Sequence, residues 1–316
     1  MATKLRTEIR KKLIKGLNGS YAMNDKYEYY FVDYNDNLYI PMSCEHTKMF
    51  EGASGNELKD KFYPAKAKAI DSSSMISYNF FRFIDDDHSV IINEIRYNKC
   101  LFEVKLPTLT TSGAPANIDV VLLSEDRKTV LFIESKFLEY LDNKLIRLPK
   151  SYKSESSFYQ DNKDKKALCE LCNHYEAKNG HYNYGIKQNT CHLIGISNIS
   201  NSCKAKEMFL DINAEHFDRK DLETITEKAK TYLLMDVIFV PSEKEAVTLF
   251  GIYRHDLDDF HKTMPADLKK YINKPFVMTY GQLYGLLPDN LDERFMKWLK
   301  GRYIQYHNMK TCDPNI

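Results

Sequence analysis

Residues 117–136 constrain most strongly what this chain folds into. Ile118, Val120, Val121, Leu122 and Leu123 form one apolar run, and Val130, Leu131, Phe132 and Ile133 form another. Each has the length of a strand, and the turn residues Ser124 to Lys128 separate them, so the pair reads as a hairpin. Neither run alternates with polar residues, which is the pattern of strands buried on both faces at the centre of a sheet. Three charges nevertheless interrupt it: Asp119 in the first strand, and Glu134 and Lys136 at the end of the second. Burying a carboxylate or an ammonium costs several kcal/mol unless it is paired or bound to a metal.

Register brings these charges together. With the turn centred between Asp126 and Arg127, Asp119 lies directly opposite Glu134. Lys136 stands two residues further along the same strand, hence on the same face. Two facing carboxylates repel each other, and a divalent cation relieves the repulsion. A carboxylate pair plus a lysine suits metal-assisted attack of water on a phosphodiester. The carboxylates hold Mg²⁺ or Mn²⁺, the metal polarises the phosphate and acidifies its water, and the lysine orients the nucleophile or stabilises charge. A surface hairpin with an ordinary acid–lysine pair would carry the same charges, but the apolar flanks argue against it.

Asp119 followed by Glu134-Ser135-Lys136 resembles the motif of the PD-(D/E)xK nuclease superfamily. The proline that often precedes the aspartate is absent, since Ile118 occupies that place and Pro115 lies upstream. A closer similarity is to a bacterial family of restriction-endonuclease-like proteins. It rests on a Ser-rich segment ending in Asn-Phe-Phe, here residues 72–81, and on a strand ending in Phe102-Glu103. The similarity covers about residues 68 to 200. It implies that Asp119 and Glu134 are metal ligands, that the main-chain carbonyl of Ser135 is a third, and that Lys136 is the catalytic lysine. Glu103 is the candidate accessory acid, with Glu94 in reserve. Glu139, just past the motif, reads as solvated.

The rest of the chain suits a mixed sheet with helices on its faces. Leu5, Ile9 and Leu13 recur every four residues and predict a short helix ending at Gly16. Six basic residues against one Glu in residues 1–15 make it a solvated face or an arm that touches phosphate. Residues 27–40 suggest a hairpin around Asn35-Asp36-Asn37. Ser72 or Ser73 caps a helix carrying Met75, Ile76, Tyr78, Asn79 and Phe80. Strands are expected over 89–97, 100–106, 118–123, 129–137, 191–199 and 232–240. Helices are expected over about 163–178, capped by Asp161 or Asn162, and over 221–231, 279–287 and 291–303. The expected division is an N-terminal helix and hairpin extension (1–66), a nuclease-like core (67–240) and a helical C-terminal part (241–316).

The 45 basic and 44 acidic residues give a net charge of +1, which excludes binding nucleic acid by bulk charge but leaves room for a local basic groove. Such a groove has candidates in Lys150, Lys153, Lys163, Lys165 and Lys166, with Tyr152, Phe158, Tyr159 and Tyr175 interleaved and Gln160 as a supporting group. Cys169-x-x-Cys172 falls on an apolar helix face, where cysteine is core filler, and its neighbours match no zinc template. No Walker-type loop is present. No apolar run approaches a membrane span, and the N-terminus lacks the apolar segment of a secretory signal. These patterns lead to the expectation of a cytoplasmic chain with reduced thiols.

The expected function is Mg²⁺-dependent hydrolysis of phosphodiester bonds. Double-stranded DNA as substrate, a restriction or defence role, and a homodimer that cuts both strands come from the resemblance. The rivals are a dormant nuclease-fold module that binds DNA or a protein, and an RNase on the same scaffold.

Overall fold

The hairpin at residues 117–136 lies in the middle of a six-stranded mixed sheet in the computed structural model, flanked by helices. The structure describes residues 2–17, 21–52, 57–61, 63–85, 87–110, 115–141, 147–159, 163–176, 184–270 and 272–308. The sheet runs in chain order from β1 to β6. Its strands are β1 (Val90–Ile92), β2 (Ile95–Leu106), β3 (Ala116–Ser124), β4 (Thr129–Lys136), β5 (Thr231–Ile238) and β6 (Phe276–Thr279). The first four are antiparallel neighbours, and β5 and β6 continue in parallel with β4. A parallel pair needs a crossover. The β4-to-β5 crossover carries α4 (Lys163–Glu176), α5 (Tyr184–Asn201), α6 (Cys203–Asn213) and α7 (Arg219–Glu223).

Three helices precede the sheet: α1 (Ala2–Lys15), α2 (Cys44–Gly52) and α3 (Ser73–Phe81). Three more accompany its last strands: α8 (Lys244–Thr263), α9 (Tyr280–Tyr284) and α10 (Glu293–Arg302). Leu5, Ile9 and Leu13 bury the expected face of α1. Each such side chain contributes about 1.5–3 kcal/mol. Ser72 caps α3 by accepting the Met75 N–H. One cluster of buried apolar side chains takes in Leu5 near one end of the chain, the central strands, and Leu299 and Ile304 near the other.

Side chains alternate across a strand, so Glu134 and Ser135 face opposite layers. Ser135 Oγ contacts the Ser73 carbonyl and the Tyr280 hydroxyl, which puts α3 and α9 on its side. Glu134 meets Gln188 and His192 of α5 on the other.

Several expectations are corrected. Residues 27–40 form no hairpin. They hold a 3₁₀ turn over Tyr34–Asn37, capped by Asp33, and isolated bridges Met23–Phe31 and Tyr30–Ala69. The expected strand at 191–199 is the second half of α5. Asn189, His192 and Asn198 on this helix are buried and reach into the sheet layer, which a helical face allows. The expected strands at 89–97 and 100–106 are β1 and one long β2. Between them Asn93 and Glu94 take positive φ (49° and 65°), as a two-residue turn of primed type requires. The 221–231 helix is a short α7 followed by a single π turn, Thr224–Lys228. The helix expected at 163–178 is described as α4, while its expected caps Asp161 and Asn162 lie outside the described residues.

Candidate active site

The ladder between β3 and β4 pairs Val120 with Ile133 and Leu123 with Val130, the register expected from the turn. One step beyond its last rung stand Asp119 and Glu134. The β2–β3 ladder pairs Phe102 with Val120 and Val104 with Ile118, so Glu103 lies between these pairs, across from Asp119. Three acids on three neighbouring strands therefore form one row. β5 extends the row, since Asp236 is the in-register partner of Glu134.

Glu103 has a φ of 56° in the middle of a strand. Left-handed backbone at a non-glycine residue costs on the order of 1–3 kcal/mol and persists only where its surroundings enforce it. Here it coincides with the point at which the acid enters the row. Asn117 Nδ2 donates to Glu103 at 3.3 Å. Glu94, the reserve candidate, is exposed in the β1–β2 turn and takes no part.

The row lines a cavity of about 450 Å³. Glu103, Glu134 and Lys136 are only 4, 2 and 3 % exposed, and Asp119 is partly exposed. Asp119 accepts the Ser135 N–H at 2.6 Å, which fixes its carboxylate at the end of β4. Lys136 Nζ donates to Glu134 Oε1 and, at 3.3 Å, to the Ser135 carbonyl. Burial alone would lower the Lys136 pKa, but the Glu134, Asp119 and Glu139 carboxylates override it and raise the value. Lys136 thus keeps its proton. Burial first, then Glu57 and Asp119, pushes Glu103 well up. Burial and Glu134 do the same to Asp119.

The chain matches no family model, no curated protein and no solved structure. Its wall includes six carboxylates (Glu57, Asp71, Glu103, Asp119, Glu134, Glu139) against four cations (Arg6, Arg10, Lys66, Lys136), a formal excess of two negative charges. Glu134 Oε2 is buried without a hydrogen-bond partner. Among the described residues, no three His, Cys, Asp or Glu side chains converge tightly enough to hold an ion alone. Mg²⁺ in proteins keeps several waters and takes one or two carboxylates rather than a full protein cage, so Asp119 and Glu134 are the donor pair to compare with it. The acid-rich wall, the Glu134 Oε2 without a hydrogen-bond partner, and the hard oxygen donors of Asp119, Glu134 and the Ser135 carbonyl fit such an ion.

Other groups in the site were not apparent in the sequence. Glu57 accepts from Lys66 Nζ at 2.7 Å and from the Ser74 hydroxyl at 3.0 Å. Gln188 donates to Glu134 Oε1; Gln160, the supporting group expected from the sequence, lies outside the described residues. His192 lies with Nε2 2.9 Å from the Asn117 carbonyl and 3.6 Å from Glu134, and burial lowers its pKa. Behind Glu134, Asn189 Nδ2 donates to both Asp236 oxygens at 3.2 and 2.9 Å. Burial pushes Asp236 up to about 7. Glu139 is not simply solvated, because it accepts the Phe137 N–H at 2.6 Å and lines the cavity.

The expected basic groove is not where the cavity is. Lys150, Lys153, Lys163 and Lys166 are exposed but line neither this cavity nor its neighbour. Lys165 is buried against Asn198 and pushed down to about 8. Tyr152, Phe158 and Tyr175 are core residues, as are Cys169 and Cys172. The cations at the cavity are Lys66, Lys136 and two from the N-terminal helix, Arg6 and Arg10. Arg6 and Arg10 both clasp the buried Asp71 carboxylate, each with contacts of 2.8–2.9 Å.

Proposed function

We propose that this chain is a divalent-metal-dependent nuclease with a restriction-endonuclease-like core, hydrolysing phosphodiester bonds in DNA. The observation that carries this reading is the row Glu103–Asp119–Glu134 on three adjacent strands, with Lys136 on the same face. Structural packing alone gives no reason to align three acids in an apolar sheet, because each added charge raises the cost of the others. Asp119, Glu134 and the Ser135 carbonyl would hold the ion, with Glu103 as the accessory acid. The chemistry such an ion supplies is polarisation of a phosphate and a lowered pKa of coordinated water.

The protein's own groups have distinct tasks. Lys136 stays cationic, so it acts as a hydrogen-bond donor that orients water or offsets charge on the phosphate, not as a base. Gln188 and Lys136 both donate to Glu134 Oε1, while Oε2, 3.6 Å from His192 Nε2, has no hydrogen-bond partner and is the oxygen that would take a ligand. Arg6 and Arg10, pre-oriented by Asp71, supply positive charge at the wall for the phosphate backbone. A restriction or defence role is what the motif resemblance adds.

The test is cleavage of plasmid and oligonucleotide DNA with Mg²⁺ or Mn²⁺, wild type against Lys136→Ala, with RNA in parallel. Metal-dependent cutting that disappears in the variant supports the assignment. Cutting that survives the variant, or its absence from the wild type, overturns it.

A further inference from the structure

The carboxylate row borders two adjoining cavities. The 450 Å³ cavity reaches Arg6, Arg10 and Tyr30, and a second cavity of about 310 Å³ reaches Asn117, Lys187 and His192. Glu57, Glu103, Asp119 and Glu134 border both. Glu57, Glu103 and Glu134 are buried and only Asp119 is partly exposed, so a phosphate must come into the cavity to reach the row. Cavities of this size take about one drug-sized ligand each. Each has room for about one nucleotide.

Aromatic rings lead from the surface to the first cavity. Tyr63 is 71 % exposed, its ring is 6.5 Å from that of Tyr27, and Tyr27 is 6.0 Å from Tyr30 at the cavity wall. Lys26 Nζ lies 5.5 Å from the Tyr27 ring centre. Rings in series beside positive charge are how proteins hold unpaired bases, since every base has a stacking face only when it is out of the duplex. A series of edge-to-face tyrosines, two adjoining cavities that share the carboxylate row, and cations at both of them coincide here.

Resting on the nuclease reading, we propose that the substrate is single-stranded nucleic acid, guided by Tyr63, Tyr27 and Tyr30 into the carboxylate row and passing out beside Lys187. The rings hold bases while Arg6 and Arg10 meet the backbone. A duplex would have to open before its scissile phosphate could arrive.

The experiment measures binding of a labelled oligonucleotide by fluorescence anisotropy, with Ca²⁺ in place of Mg²⁺, as DNA and as RNA, each single-stranded and annealed. Wild type is expected to bind a single strand of either type at least about tenfold tighter than the duplex. Tyr63→Ala and Tyr27→Ala are each expected to weaken single-strand binding about tenfold, while Tyr63→Phe retains it. Thermal melting of each variant separates lost stacking from lost folding. Equal or tighter duplex binding overturns the proposal, and so does an unchanged affinity in folded alanine variants. Single-strand preference without any Mg²⁺-dependent cleavage upholds this inference while refuting the nuclease reading. Preferential cutting of duplex does the reverse.

Discussion

His261 gives a quantitative test of the polar network behind the site. It is buried on α8, with Nε2 2.8 Å from Asn189 Oδ1, and Asn189 in turn holds Asp236 beside Glu134. Burial, with a smaller push from Lys274, lowers the His261 pKa from 6.5 to about 3. The folded state therefore keeps this imidazole neutral where the unfolded chain would protonate it. Stability from this group is fully present above about pH 6.5 and is lost as pH falls, by about 1.4 kcal/mol per pH unit. At pH 4 the loss is about 3 kcal/mol. His261→Gln keeps a donor for Asn189 and has no proton to gain. Urea unfolding of both proteins between pH 7.5 and 4 reads the effect directly. A fixed cost of the substitution appears at every pH, so the decisive quantity is the change in the difference between the two. The wild type should lose about 3 kcal/mol relative to the variant over that range. A difference that stays constant means that the imidazole protonates without disturbing the fold, and the reasoning fails.

Other perturbations have equally definite outcomes. Asp71→Ala strands Arg6 and Arg10 at the cavity wall and should cost about 3 kcal/mol in urea unfolding, because breaking a buried ion pair leaves its partners uncompensated; a cost under about 1 kcal/mol would show that α1 is held by its apolar face alone. Gly195→Ala places a Cβ 2.7 Å from the Leu106 Cβ, so α5 must move off β2, and melting should reveal a loss of about 1–3 kcal/mol. An unchanged melting temperature would show that the helix gives way freely. Asp119→Asn relieves the row of one charge. The metal-free variant should melt at or above the wild-type temperature at pH 8, and a clear drop would mean that the aspartate is there for packing.

How much of this was legible in the sequence depends on what each segment had to satisfy. The β3–β4 hairpin was readable because one turn and two apolar runs leave a single register that aligns the charges. α1 was readable from Leu5, Ile9 and Leu13, and α3 from its Ser72 cap. The second half of α5 was not: Leu193, Ile194, Ile196 and Ile199 look like a buried strand, and Asn189, His192 and Asn198 look out of place until the layer above Glu134 and Asp236 needs hydrogen-bond partners. α8 carries Ala246, Phe250, Tyr253, Leu257 and Phe260 at helical spacing, a stripe that the sequence does contain. The acids Asp119 and Glu134 could be named in advance because charges in apolar strands are conspicuous, whereas Glu103 was a candidate only through the resemblance, with Glu94 beside it. Glu57, Lys66, Gln188 and the Arg6–Asp71–Arg10 clasp could not, because each looks like an ordinary polar residue until the fold brings it to the row. The lysines after the motif attracted attention by density, yet density along the chain says nothing of which face a loop presents.

The central claim is that the strand-end acids form one divalent-metal centre, and the most direct measurement is Mn²⁺ binding followed by calorimetry or electron paramagnetic resonance. Wild type should take up Mn²⁺ with an affinity of millimolar or tighter and release it to excess Mg²⁺, and Asp119→Asn should lose that uptake. A wild type that binds no Mn²⁺, or an Asp119→Asn variant that binds it equally well, would contradict the account.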